Sequence, residues 1–206
     1  MTIENKDFVI TPPVPFYSQR LDKLNYKVEG FSNFNDAKFW SSRVCGLACI
    51  KMAIGAFQGI KVPLHDLLEK GLRINAYTEE SGWYHKGLVD LARLYGLDSE
   101  RQGVGPKIDR IGEYIKENEI IIASVTVGFE AGKVYHSKNG DFTMQKGGHL
   151  VVIYGVNFDN KGMVENFSVH HPSSWKSYEL PNFKVDRNKF LNSLSSSGNI
   201  IRIRKR

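Results

Sequence analysis

The chain has 206 residues, 41% hydrophobic and 24% charged, and its 28 basic against 22 acidic side chains give a net charge of +6. This suits one globular domain with its own core and excludes disordered, collagen-like and disulfide-framework chains. No apolar run approaches the ~20 residues of a membrane span, and Met1–Phe8 lacks the apolar segment of a secretion signal. The chain as it stands therefore reads as cytoplasmic, or as secreted if a signal or fusion partner is missing.

The basic residues are mostly scattered. Arg202, Arg204, Lys205 and Arg206 cluster, but alternation with Ile201 and Ile203 marks the solvent face of a strand, so no nucleic-acid partner is expected. Cys45 and Cys49 stand four apart without a Cys-x-x-Cys or His-x-x-x-His partner. Neither a metal nor another cofactor is expected.

Residues 1–10 read as an N-terminal lead-in, loose as far as Pro12-Pro13, and 11–206 as one domain. Val14-Pro15-Phe16-Tyr17-Ser18-Gln19 reads as extended, because proline biases its predecessor away from helix. Residues 20–40 are aromatic and polar without period and read as a long ordered loop. Ser41 and Ser42 then offer N-caps for a helix with Leu47, Ile50, Ile54 and Phe57 on one face. Ala48, Met52, Ala53 and Ala56 make the rest of it apolar, as in a helix buried in the middle of a domain. Gly59 is its stop.

Shorter helices follow at 63–72, after Gly82-Trp83-Tyr84-His85 up to Gly96, and from Pro106 through Ile115. Ile120–Val127 has strand length and β-branched composition. Residues 128–147 read as an excursion with a turn at Asn139-Gly140. His149–Asn157 is apolar on both faces and should be a central strand. A strand with Phe167 and Val169 runs to His171-Pro172, Asp186 caps a short helix, and Asn199–Arg204 closes the chain as an edge strand. Helices first and strands later give an α+β fold, a helical half packed on a mainly antiparallel sheet.

Cys45 stands where loop becomes helix. Unpaired backbone N–H groups and the positive end of the helix dipole favour a thiolate there, whereas Cys49, one turn on, reads as a core thiol. Such a nucleophile needs a base near neutral pKa. Of six histidines most should be exposed, and His149 stands out because it opens the central strand after Gly147-Gly148. Its ring is expected within about 5 Å of the Cys45 sulfur.

Three segments resemble the C39-like cysteine peptidases of the papain-like superfamily: Val14–Gln19, Cys45–Met52 and Gly148–Gly155. Gly82-Trp83, Gly87-Leu88 and Tyr95-Gly96-Leu97 resemble the family's intervening helix, and the match spans residues 11–204. The resemblance implies a papain-like fold and a cysteine peptidase or amide hydrolase working through a thioester on a peptide or peptide-like substrate. It implies Cys45 as nucleophile, His149 as general base and acid, and Gln19 as oxyanion donor. His171-Pro172 falls where the family has Asp-Pro, so His171 is read as orienting His149 through an accepted hydrogen bond. An acyltransferase using the same thioester, or a peptide-binding domain without the reaction, are the alternatives.

Overall fold

The computed structural model describes residues 6–136 and 140–206, so the turn expected at Asn139 lies outside the described residues. Strand β1 (Lys6–Val9) is the first element of the described residues, in the stretch expected to be loose, and pairs antiparallel with the later strand Phe158–Gly155. The expected loop contains α1 (Phe34–Ser41), started by Asn33, whose side chain accepts from the Asp36 N–H. Its eight residues are too short to show a period.

Helix α2 (Cys45–Gln58) begins at Cys45. Neither serine caps it. Val44 is the N-cap residue without a side-chain bond, Ser41 closes α1 and Ser42 is the α1 C-cap. Gly59 ends it at φ 70, a left-handed conformation that glycine takes without a Cβ clash. Leu47, Ile50, Ile54 and Phe57 are all buried, and so is Lys51. A buried ammonium needs a partner, and Glu29 supplies it as an ion pair with Lys51 Nζ. Helix α3 (Leu64–Arg73), a two-stranded hairpin of β2 (Tyr77–Thr78) and β3 (Gly82–Trp83), and α4 (His85–Leu94) complete the helical half.

Strand β4 (Asp98–Gly103), α5 (Asp109–Lys116) and β5 (Ile120–Val125) follow. A 3-10 turn (Val127–Phe129) leads to a hairpin of β6 (Val134–Tyr135) and β7 (Phe142–Thr143). The central strand is β8 (His149–Phe158), next to β9 (Val164–His171) and β10 (Leu180–Asp186). Helix α6 (Arg187–Ser193), capped by Asp186 as expected, precedes β11 (Asn199–Arg204). The sheet order is β10-β9-β8-β5-β11-β4, with β1 on β8 beyond the end of β5, and every pair is antiparallel. Thus β11 is not an edge strand. It lies between β5 and β4, pairing Ile201 with both Ile122 and Arg101. The architecture is the α+β arrangement expected, with α2 packed across β8.

Candidate active site

Two elements meet at Cys45. The first turn of α2 brings backbone N–H groups to the sulfur, and the start of β8 adds another: the N–H groups of Cys45, Gly46 and Leu150 favour the thiolate. Burial outweighs them and pushes the thiol above its ordinary value of 9.0. The helix start thus favours the thiolate without overcoming burial. Cys49, fully enclosed, is pushed up further by burial and by its neighbour Cys45. Gly46 permits the approach of α4 and β8, since a Cβ there would lie 2.9 Å from Leu88 Cδ1 and 3.1 Å from Leu150 Cδ1.

Leu150 directly follows His149, so the sulfur sits at the first peptide of β8. Among the described residues no hydrogen bond joins Sγ to the His149 ring, whose Nε2 is buried without a partner. His149 is 6% exposed, and burial first, then the neighbouring His171, lowers its pKa to about 3, against a weaker opposing bond to the Pro172 carbonyl. His171 is lowered by burial to about 4. The imidazole at 171 does not take the in-plane bond expected of it. The rings stack, centroids 4.4 Å apart and planes 25° apart. His171 Nε2 instead accepts the Gly128 N–H at 2.9 Å, and among the described residues its Nδ1 has no partner beyond its own main chain. Two stacked imidazoles in one buried site repel as cations, so both stay neutral at neutral pH.

The Gly128 support is sterically specified. Gly128 has φ 63, and a Cβ there would lie 2.4 Å from Tyr178 Cε1. Phe129 follows at φ 58, unusual for a large side chain, and its ring packs 5.7 Å from His171. A lone glycine after a β-branched strand was the only sequence sign of this support.

Gln19 is buried, and its Nε2 donates to the Ser41 carbonyl at 2.9 Å while Oε1 has no partner among the described residues. Ser41 also accepts the Leu21 N–H on its hydroxyl. The residue expected to cap α2 therefore ties the Gln19 segment to the turn before Cys45. His170 holds the same segment upstream, bonding the Val14 carbonyl through Nε2 and accepting the Asn182 N–H on Nδ1. Of the six histidines only His136 is exposed, because three of them lie on β8 and β9 inside the sheet.

A cleft of about 270 Å³ opens at Cys45, between Ser42, Trp83 and His85 on the helical side and Ser124, Gly148 and Leu150 on the sheet. The profile of the Peptidase_C39 like family matches residues 12–199.

The chain belongs to the Peptidase_C39 like family.

A C39-like peptidase of Bacillus anthracis is similar to the chain in structure. It has 21% identity, with 98% of each chain covered and a TM-score of 0.58. The peptidase domain of Streptococcus ComA, a bifunctional ABC transporter of a quorum-sensing pathway, has 16% identity over 80% of this chain and 93% of that one, with a TM-score of 0.51. UfSP from C. elegans has 10% identity over 96% of this chain and 34% of that one, with a TM-score of 0.54. No curated protein matches the sequence. The family member described here thus has the papain-like α+β fold, and among its described residues no helix is long and apolar enough to cross a membrane.

Proposed function

We propose that the chain is a cysteine peptidase or amide hydrolase of peptide substrates, with Cys45 as nucleophile, His149 as general base and acid, Gln19 as oxyanion donor and His171 as support for the base. One observation carries this reading. The Cys45 sulfur rests on the backbone of β8 one residue from His149, at the mouth of a cleft.

With the thiol raised and His149 lowered, the resting pair is a neutral thiol and a neutral imidazole. The proton then moves to His149 as sulfur attacks the acyl carbon, in general-base fashion rather than from a standing ion pair. The oxyanion takes the Cys45 N–H and the Gln19 amide hydrogen not used by Ser41. His149 returns the proton to the departing amine, the C–N bond breaks, and water then cleaves the thioester to the acid and free thiol.

A second reading is favoured by one feature. An imidazole at 171 supplies no negative charge to hold a His149 imidazolium, which suits a domain that binds peptides without cutting them. An electrophilic activity-based probe separates the two. Labelling that Cys45→Ala abolishes, together with peptide turnover, supports the enzyme. Absence of both between pH 6 and 9 overturns it.

A further inference from the structure

Beyond the cleft, partly exposed aromatic rings gather on one surface. Trp175 is 48% and Phe142 45% exposed. Tyr135 stacks on Phe142 at 5.6 Å and lies 6.1 Å from Trp175 and 6.5 Å from Tyr178, and Trp175 and Tyr178 are 5.8 Å apart. The β6–β7 hairpin and the segment after β9 thus form an aromatic ledge. Several polar groups beside the rings have partners, while Lys176 is exposed between Trp175 and Tyr178. Glu130 accepts from the Tyr178 hydroxyl at 2.5 Å and pairs with Lys133, whose ammonium lies 5.1 Å over the Tyr135 ring, and His136 pairs with Asp141. Clustered aromatic faces of this kind mark contact surfaces.

The ledge is continuous with the site. The Tyr178 ring closes on Gly128, Gly128 donates to His171, and His171 stacks on His149. None of its rings lines the cleft that opens at Cys45. We infer that the ledge binds an aromatic or aliphatic side chain of a peptide on the leaving-group side of the bond attacked by Cys45. This rests on the reading given above. The acid that protonates the departing amine must face it, so the peptide beyond that amine runs past His149 and His171, where the ledge begins. The acyl side then occupies the cleft between Trp83 and Leu150.

The test digests a synthetic peptide mixture randomised over its length and identifies the new N-termini by mass spectrometry, with iodoacetamide titration of Cys45 to normalise the amount of competent protein. New N-termini should carry Phe, Trp, Leu or Ile at their first or second position in preference to Gly or Asp. Trp175→Ala and Phe142→Ala should each reduce that selectivity about tenfold, the worth of one well-packed ring contact. An absence of apolar enrichment, or enrichment that survives both substitutions, overturns the inference. If the mixture stays uncut, the peptidase reading fails, and the ledge is judged by which peptides the Cys45→Ala protein retains. Aromatic and aliphatic enrichment lost in the Trp175→Ala, Cys45→Ala double variant supports it. Equal recovery overturns it, and so does sedimentation with phosphatidylglycerol vesicles that Trp175→Ala abolishes.

Discussion

At the scale of single residues, the site turns on which group holds the proton. The Cys45 thiol is raised by burial although three backbone N–H groups favour its anion. Its alkylation by iodoacetamide should therefore climb with pH to an inflection above 9.0, while Cys49 stays unreactive in the folded protein. Faster labelling of Cys49 than of Cys45, measured on single-cysteine variants, would reverse the assignment. His171→Asp places a carboxylate beside His149, where it favours the imidazolium and through it the thiolate. The inflection should then move down by about one pH unit or more. The substitution gives up the Gly128 bond made by Nε2, so a lower unfolding temperature is expected alongside. An inflection that stays put would mean that the 171 side chain does not act on the pair.

At the scale of elements, the turn after β5 is where backbone conformation supports chemistry. Gly128→Ala meets both a left-handed φ and the Tyr178 ring, whereas Gly132→Ala, at φ 84 with open space around it, meets the φ cost alone. The first should destabilise by about 2–4 kcal/mol and the second by about 1 kcal/mol, read from denaturant midpoints. Equal losses would remove the steric argument for Tyr178. Much of the frame was legible from pattern. The apolar period of α2, the doubly apolar run of β8 and the Asp186 cap read correctly because burial writes a period into sequence. Strand β4, Asp-Ser-Glu-Arg-Gln-Gly, did not, because its outward face is charged and its pairing with β11 is long-range. Strand β10, with Pro181 and Asn182 at a break in register, was equally silent. At the site, Cys45 and His149 stood out at element boundaries. The stacking of His171 and the Ser41 link to Gln19 did not, because both depend on which side chains the tertiary fold brings together.

At the scale of the whole molecule, the neutral histidines make the fold sensitive to acid. His149 at about 3, His171 at about 4, and His85 and His170, also lowered by burial, all sit below the ordinary 6.5 of an unfolded chain. Below pH 6.5 the unfolded chain therefore binds more protons than the folded one, and stability falls as pH falls toward 4. Each fully shifted histidine contributes a slope of about 1.4 kcal/mol per pH unit in that window. Unfolding temperatures should drop steadily from pH 7 to pH 5, and His171→Asn should flatten the trend. A flat profile in the parent protein would contradict the burial of these rings. The position of β11 has a different consequence, for biosynthesis. Asn199–Arg204 is translated after both of its sheet partners, yet it fills the gap between β5 and β4. Until it emerges, Ile120–Val125 and Asp98–Gly103 face each other across an empty slot with bare hydrogen-bonding edges, an invitation to misassociation. A chain ended at Ser197 should accumulate as aggregate, and a synthetic peptide spanning 198–206, added during refolding, should enter the slot in trans and return protein to the soluble fraction.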